Sequence, residues 1–258
     1  MAPELHIRRA LVTASSAGIG RAIAVELARA GADVVVHGRS PATAEVAATE
    51  LHAVDWISGD LATTEGTEQV RSWLADNDID VLVNGAGPFA ENTYETASPQ
   101  NWADTYQSNV ISAITLARTA LPGMRTRGFG RVIFIGTRAT RTPIPTMIEY
   151  SAAKAALANA TISLARSAGG PDVTVNMVSP GVILTPSLKT MFSQRPEYED
   201  MAWEDIEPQI TSQYASNPTG RLGRPEDIAK AVAFIAGASS SYINGVDLPV
   251  DGGLTGTH

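Results

Sequence analysis

Short apolar runs alternate along the chain with stretches in which apolar residues recur every three or four positions. The runs are residues 10–13, 33–38, 54–60, 80–87, 131–137, 173–181 and 245–253. The first six are rich in Val and Ile and nearly continuous, which is typical of strands covered on both faces. In residues 20–32, Ile23, Leu27 and Ala30 share one helical face, and Gly31 supplies a helix C-cap.

Strand and helix patterns that alternate in this way predict right-handed crossovers and a parallel sheet. Because no linker or break in composition divides the chain, residues 1–258 are expected to form a single doubly wound α/β domain with seven strands. Residues 186–218 interrupt the alternation before the last strand and carry several aromatic side chains. A long insertion of this kind favours a substrate-binding lid, and these residues are called the lid segment below.

Composition and charge exclude several classes of function. The formal net charge of −8 gives no electrostatic reason to bind nucleic acid or an anionic membrane. Neither an apolar leader nor a run of about 18 apolar residues occurs, so a cytoplasmic protein without membrane contact is expected. The chain has no cysteine and only four scattered histidines, which predicts no metal site and surface or strand-end histidines.

A loop of small residues, T-A-S-S-A-G-I-G at positions 13–20, joins the first strand to the first helix. Exposed N–H groups at Ser15, Ser16, Gly18 and Gly20 would suit the pyrophosphate of a dinucleotide. Ala14 stands where such loops usually have glycine. A positive φ at this residue would cost about 1–2 kcal/mol, whereas a negative φ would cost nothing. The loop alone is weak evidence, because a tight turn before a helix looks the same.

The second strand ends in Gly38, Arg39 and Ser40, where proteins that bind NAD usually have an acidic residue. A guanidinium cannot accept hydrogen bonds from a ribose 2′-hydroxyl, but it pairs well with a 2′-phosphate. Arg39 therefore favours NADP(H) over NAD(H), the alternative being a solvated surface charge.

Tyr150 and Lys154 are spaced i and i+4 and share one helix face. A phenol has a pKa of about 10, and a neighbouring ammonium lowers it. Such a pair can exchange a proton with a carbonyl or alcohol oxygen. On its own this spacing occurs by chance on many helices.

Several motifs occur in a fixed order. They are residues 13–20, Asp60-Leu61, N-G-A-G at 84–87, Asn109, Thr137, Y-S-A-A-K at 150–154, N-M-V-S-P-G-V-I-L-T at 176–185 and the tail R-L-G-R-P-E-D-I-A with Y-I-N-G and V-D-G-G. Asn109 precedes Tyr150 by 41 residues and Thr137 precedes it by 13. In this order the chain resembles the single-domain short-chain dehydrogenase/reductase family, which has a Rossmann fold, over nearly its whole length. The tail resembles that of 3-oxoacyl carrier-protein reductases.

The resemblance implies hydride transfer between a nicotinamide cofactor and a ketone or secondary alcohol. Tyr150 would donate its proton to the carbonyl oxygen, and Lys154 would hold the nicotinamide ribose and lower the pKa of Tyr150. Asn109 would hold a water that links Lys154 to solvent. Thr137 replaces the usual Ser but keeps the hydroxyl that hydrogen-bonds the substrate oxygen.

The resemblance also implies a set of cofactor contacts besides Tyr150 and Lys154. They are Ala14, Ser15, Ser16, Gly18, Ile19, Gly20, Arg39, Ser40, Asp60, Leu61, Asn84, Ala86, Gly87, Pro180, Gly181, Ile183 and Thr185. Asp60 and Leu61 would flank the adenine. The Thr185 hydroxyl would be available to the nicotinamide carboxamide.

The candidate substrate residues are Arg138, Met191, Phe192 and Trp203. The aromatic side chains of the lid segment could form an apolar pocket or could pack the lid onto the core. Arg138 could anchor a substrate carboxylate or pair with Glu197 or Glu199.

The identity of the substrate stays open at this stage. A free small or medium ketone is favoured over a carrier-bound acyl group, because Gly128 and Pro171 stand where the carrier-protein reductases have docking arginines. Arg125, Arg127 and Arg131 are near enough in sequence to substitute for them. A non-catalytic nucleotide-binding or regulatory protein on the same fold is the alternative of another class. The resemblance further implies a homotetramer, or a homodimer, built from the helices predicted at 99–125 and 146–168.

Overall fold

A computed structural model describes residues 5, 6 and 8–256. Within them seven strands form one sheet in which every neighbouring pair is parallel. The strands are β1 (Arg9–Val12), β2 (Asp33–Gly38), β3 (Asp55–Ser58), β4 (Val81–Asn84), β5 (Gly130–Ile135), β6 (Val173–Pro180) and β7 (Asp247–Val250). Their order across the sheet is β3-β2-β1-β4-β5-β6-β7, which confirms the predicted doubly wound fold.

Helices connect the strands and cover both faces of the sheet. They are α1 (Gly18–Arg29), α2 (Pro41–Leu51), α3 (Thr64–Ala75), α4 (Pro99–Tyr106), α5 (Ser112–Arg127), α6 (Ile148–Ala168), α7 (Pro186–Ser193), α8 (Trp203–Gln213) and α9 (Pro225–Ala236). The helix predicted at 99–125 is interrupted, because a π-helical turn at Gln107–Ile111 separates α4 from α5. Among the described residues, none of the helices combines the length and apolarity that crossing a bilayer requires.

The continuous apolar strands are explained by burial on both faces of the sheet. In β1, Val12 packs into the core layer beneath α1 and α9, whereas its neighbour Leu11 packs into the layer beneath α3 and α5. In β2, Val36 and Val35 divide between the two layers in the same way. Because successive side chains of a strand point to opposite faces, both sets of positions must be apolar.

The lid segment has a small core of its own. Phe192 of α7 packs with Tyr198, with Ile206 and Ile210 of α8, and with Leu222. The other two core layers do not include these side chains. The lid segment is therefore a separately packed layer on the sheet.

The topology marks one crevice for a ligand. β1 lies between β2 and β4, so the strand order reverses at this point of the sheet. In doubly wound sheets ligands bind at such a switch point, beyond the carboxyl ends of the strands. Residues 13–20 follow β1 and residues 85–88 follow β4, so both loops lie at the crevice.

Candidate functional site

A cavity of about 680 Å³ lies at the carboxyl ends of β4, β5 and β6, beneath the lid segment. Thr137 follows β5 by two positions, and Tyr150 and Lys154 lie on α6. All three residues line this cavity. The structure thus brings together three of the four predicted catalytic side chains around one space.

The Tyr150 hydroxyl faces the side chain of Thr137. Lys154 is buried, its Nζ donates to the Ile135 carbonyl at 2.9 Å, and it lies 5.8 Å from the centre of the Tyr150 ring. Phe89 packs against the same ring, with centroids 5.8 Å apart. The proton-bearing oxygen of Tyr150 therefore faces Thr137, while the amine lies beneath the ring.

The pKa of Tyr150 differs from the expectation. Burial raises the pKa of Tyr150 to about 12, and the Thr137 hydrogen bond opposes this rise only in part. Burial lowers the pKa of Lys154 to about 8. Desolvation, which favours the neutral phenol, thus outweighs any lowering of the phenol pKa by Lys154. The Tyr150 hydroxyl is therefore neutral at physiological pH.

Asn109 is fully buried in the π-helical turn. Its Nδ2 donates to the carbonyls of Pro88 and Thr105, at 3.1 and 3.0 Å. Its Oδ1 has no hydrogen-bond partner among the described residues. A Cβ built on Gly87 would lie 2.5 Å from this Oδ1 and 2.6 Å from Lys154 Nζ, so glycine allows both groups to approach one point. An unsatisfied buried oxygen beside an amine is a suitable place for a bridging water.

The loop at residues 13–20 is held by a buried histidine. The Ala14 N–H donates to His37 Nδ1, and the Ser15 N–H donates to the His37 carbonyl, both at 3.0 Å. The Ser15 hydroxyl donates to the Val12 carbonyl at 2.7 Å and accepts from the His37 N–H at 2.9 Å. The prediction of an exposed Ser15 N–H is therefore wrong, because both polar groups of this buried residue are bonded inside the protein.

His37 lies next to the last residue of β2, as the strand-end interpretation predicts, but it is not at the surface. It is 1% exposed, and burial lowers its pKa to about 4. Since Nδ1 accepts from Ala14, the neutral ring carries its proton on Nε2 and donates to the Gly59 carbonyl at 3.0 Å. One side chain thus joins the loops that follow β1 and β3. His37 follows Val36 in β2, which is an inner strand, and this position is the sequence signal that would have indicated its burial.

Ala14 adopts the left-handed region, with φ of 53°. We expect Ala14→Gly to raise the free energy of unfolding by up to about 1.5 kcal/mol. Glycine removes a strain of about 1–2 kcal/mol, and the greater freedom of glycine in the unfolded chain offsets about 0.5–1 kcal/mol of that gain. Thermal and urea unfolding measure the change.

Ala155→Gly is the matched control, because Ala155 is exposed in the middle of α6. This substitution should cost about 1 kcal/mol. An equal loss of stability in both variants would contradict the assignment of strain to Ala14.

Small residues shape the remainder of the predicted dinucleotide crevice. Thr13 Oγ1 accepts from the N–H groups of Gly85 and Ala86, at 2.9 and 3.2 Å, and so fixes the loop after β4 against the loop after β1. A Cβ on Gly20 would lie 2.3 Å from the Ala14 carbonyl oxygen, so only glycine fits there. Ser16 and Gly18 are half-buried at the start of α1.

The predicted adenosine end lies at the edge of the crevice. Arg39 is exposed, and in the described part of the chain its guanidinium forms no ion pair. Ser40 caps α2 by accepting from the Thr43 N–H. The Asp60 carboxylate accepts from the Ala62 N–H at 3.0 Å. Leu61 corrects its prediction in part, because its side chain is buried in the core and leaves only its backbone for a cofactor.

Asn84 closes β4 and is buried, and its Oδ1 and Nδ2 both lack a partner among the described residues. The four predicted nicotinamide contacts line the 680 Å³ cavity, together with two other predicted cofactor contacts, Ile19 and Gly87; the four are Pro180, Gly181, Ile183 and Thr185. Thr185 caps α7, and its Oγ1 accepts from the Leu188 N–H at 3.2 Å. Its own hydroxyl proton remains available for donation, as the prediction requires.

The candidate substrate residues are divided by the structure. Arg138, Met191 and Phe192 line the cavity. Trp203 does not, which corrects its assignment to the substrate pocket. Its ring packs against the lid core and lies 5.4 Å from Lys189 Nζ, and its indole N–H donates to Glu207 at 3.0 Å.

An ion pair that sequence analysis did not find joins the lid segment to the loop after β4. Arg195 donates to Glu91 at 2.9 Å and lies 3.9 Å from Glu197. Its guanidinium also stacks over the rings of Phe192 and Tyr214, at 4.5 and 5.5 Å. This contact closes one side of the cavity.

Two of the three arginines considered for docking a carrier protein are already engaged. Arg131 is fully buried and donates to Asp172 at 2.6 Å. Arg127 donates to Asp80 at 3.3 Å and also contacts Asp78. The idea that Arg131 could substitute for a docking arginine is therefore wrong, whereas Arg127 is held by aspartates but is partly exposed.

Comparison with known proteins assigns the chain to a family. The family model described as "Enoyl-(Acyl carrier protein) reductase" matches residues 13–255. The chain belongs to the short-chain dehydrogenase/reductase family. This short-chain dehydrogenase/reductase is accordingly an oxidoreductase, and the family predicted from the ordered motifs is confirmed.

Its relatives include enzymes that act on ketones. The 3-oxoacyl-(acyl-carrier-protein) reductase FabG of Haemophilus influenzae is 36% identical over 250 residues, covering 95% of this chain and 97% of the relative. The uncharacterized oxidoreductase YvaG of Bacillus subtilis is 36% identical over 260 residues, covering 97% of each. The L-sorbose reductase of Gluconobacter frateurii, solved with NADPH and L-sorbose, is 29% identical with a TM-score of 0.93 and full coverage of both chains.

Proposed function

We propose that this short-chain dehydrogenase/reductase uses NADP(H) to reduce a small ketone to a secondary alcohol, or to catalyse the reverse reaction. The observation that carries the proposal is the Tyr150 hydroxyl, which faces Thr137 and lies above Lys154 in one cavity. FabG and the sorbose reductase support a ketone as the substrate.

The residues of the crevice fit a nicotinamide dinucleotide. The N-cap of α1, Ala17, forms no side-chain hydrogen bond, and the first turn holds no acidic residue. The first N–H groups of α1 therefore remain available to an anion, whereas Ser40 caps α2 with its own hydroxyl. A Cβ on Gly18 would lie 3.6 Å from Thr185, so the phosphate loop and the predicted nicotinamide contacts face each other.

A bound nicotinamide supplies or accepts the hydride, and the chain supplies the proton. Tyr150 is neutral below its raised pKa and donates its hydroxyl proton to the carbonyl oxygen. Thr137 orients the Tyr150 hydroxyl and donates a second hydrogen bond to the carbonyl oxygen of the substrate. In alcohol oxidation the phenolate of Tyr150 takes the proton back. Lys154 and the unpaired Asn109 oxygen provide a polar route beneath the ring.

A panel of ketones and alcohols, followed by NADPH absorbance, tests the proposal. The expected result is turnover of at least one ketone class. Equilibrium binding of NADPH, measured in parallel, distinguishes an enzyme from a non-catalytic nucleotide-binding protein. Tight binding without turnover on any carbonyl compound would favour a non-catalytic nucleotide-binding protein.

Arg39→Ala is expected to lower kcat/KM for NADPH by about 10- to 100-fold and to change the value for NADH less than threefold. A charge-assisted contact to the 2′-phosphate contributes about 1.5–3 kcal/mol, and NADH lacks that phosphate. Steady-state kinetics with both cofactors measure the effect. Arg29→Ala is the control, because this exposed arginine at the end of α1 changes the net charge equally. A higher kcat/KM with NADH in the unmodified enzyme would contradict the preference.

The second candidate is a 3-oxoacyl carrier-protein reductase, which the identity to FabG favours. Against it, Arg131 is buried and Arg127 is paired with aspartates. Comparing a 3-oxoacyl carrier-protein thioester with the free methyl ketone of the same acyl length decides between them. A kcat/KM at least tenfold higher for the thioester would favour the second candidate.

We also propose that the chain assembles as a homotetramer or a homodimer. Ile111 and Ile162 are exposed on the helices that the family resemblance implies for subunit contact, and Phe234 is exposed on α9. Burial of such side chains favours association. Light scattering with chromatography measures the oligomeric state.

A further inference from the structure

The guanidinium of Arg138 is a charge inside the cavity that the proposed mechanism does not use. Arg138 directly follows Thr137 and begins a single 3-10 turn, Arg138–Thr140. Hydrogen bonds from the N–H groups of Ala139 to Thr137 Oγ1, at 3.3 Å, and of Thr140 to the Thr137 carbonyl, at 3.2 Å, hold this turn. The turn that fixes the Thr137 hydroxyl thus also fixes the backbone of Arg138.

Among the described residues that line the cavity, Arg138 is the charged side chain that forms neither a hydrogen bond nor an ion pair. Lys154 donates to the Ile135 carbonyl. Glu91 and Glu197 lie on either side of Arg195, at 2.9 and 3.9 Å. No hydrogen bond or ion pair from the described part of the chain reaches the Arg138 guanidinium, so the predicted pairing with Glu197 or Glu199 is wrong.

The nearby carboxylate of Asp251, which lies outside the cavity, does not pair with the Arg138 guanidinium either. Asp251 attracts Arg138 electrostatically, but the two side chains do not form an ion pair. The Asp251 oxygens accept from the Gly253 N–H at 2.9 Å and from the Thr255 N–H and hydroxyl at 3.0 and 2.6 Å. Arg138 is half-buried, and this burial lowers the pKa of its guanidinium.

A half-buried guanidinium without a partner is unfavourable in the free protein and presents a planar fork that matches a carboxylate. Apolar side chains form much of the surrounding wall, among them Ile144, Met147, Leu188 and Met191. The two glutamates near the lid disfavour a dianion such as a phosphate ester. We propose that Arg138 binds the carboxylate of the substrate, which is an oxo acid with a largely apolar carbon chain. This assignment of the substrate class rests on the proposed ketone reductase activity.

The kinetic test uses oxo acids whose ketone lies one to four carbons from the carboxylate, each paired with its methyl ester. In the unmodified enzyme, kcat/KM for the preferred acid should exceed that for its ester by about 10- to 100-fold, mainly through KM. Arg138→Ala should abolish this preference and leave activity on the ester within threefold. Arg138→Lys should restore part of it, because the charge returns without the bidentate geometry. Arg141→Ala, which removes an exposed arginine bonded to the Asp247 carbonyl, should retain the preference.

A binding arm keeps the test independent of turnover. Binding of hexanoate and of hexanamide is measured by calorimetry with NADP⁺ present. Arg138→Ala should weaken hexanoate binding at least tenfold and leave hexanamide unchanged. Such a result without turnover of any ketone would overturn the proposed function but support the anion site. Equal rates on acids and esters in the unmodified enzyme, or equal losses on both in Arg138→Ala, would overturn the role of Arg138.

Discussion

Tyr150→Phe is expected to lower kcat for ketone reduction by about 100- to 10,000-fold, because it removes the proton donor and leaves the ring in place. The phenyl ring keeps its contact with Phe89 and its position above Lys154. Only the hydroxyl that meets Thr137 is lost. NADPH absorbance measures kcat, and fluorescence titration should show NADPH binding within threefold of that of the unmodified enzyme.

Tyr94→Phe is the matched control, because Tyr94 is 81% exposed and does not line the cavity. The same chemical change at that position should leave kcat unchanged. Undiminished turnover in Tyr150→Phe would remove the tyrosine from the mechanism. A loss of NADPH binding in parallel with kcat would instead indicate a disturbed site.

The two directions of the reaction are expected to respond to pH in opposite ways. Reduction needs protonated Tyr150, and below its pKa of about 12 that form predominates. Oxidation needs the phenolate, whose fraction rises about tenfold per pH unit below that pKa, or about 1,000-fold from pH 7 to pH 10. Lys154 loses its charge through a pKa of about 8. The charge of Lys154 acts in both directions, so reduction should be flat up to about pH 8 and fall above it. Oxidation should rise with a slope near one up to about pH 8 and level off above it.

Initial rates in both directions, measured in buffers of constant ionic strength, give these profiles. Lys154→Met should remove the fall in reduction near pH 8, whatever its effect on the absolute rate. A rate of alcohol oxidation that does not change between pH 7 and pH 10 would contradict proton transfer to Tyr150.

The fold was predictable because its signals are local and repeated. Val-rich runs such as residues 33–38 report burial on both faces, and the observed β2 has the same bounds. The motif order placed Thr137, Tyr150 and Lys154 around one cavity, since the carboxyl ends of parallel strands meet at one edge. Strand and helix periodicity, together with spacing, is enough for this level of description.

The features of the site that could not be predicted from the sequence depend on contacts between residues far apart in the chain. His37 and Ala14 are 23 positions apart, and nothing in either local pattern indicates their hydrogen bond. The pKa of Tyr150 depends on burial that the spacing to Lys154 does not report. Trp203 carries the same aromatic signal as Phe192, yet only the packing of α8 shows that one lines the cavity and the other does not.

The hydrogen bond between Ala14 and His37 restricts how the two positions can vary in related sequences. In the left-handed conformation, alanine keeps its N–H directed at His37 Nδ1, so the imidazole compensates for strain that glycine would avoid. Replacing His37 while retaining Ala14 leaves both the strain and a partly buried donor without its acceptor. Residues in direct contact do not contribute additively to stability. Positions 14 and 37 therefore form a coupled pair, in which glycine at position 14 relieves the strain but keeps the N–H that needs an acceptor at position 37.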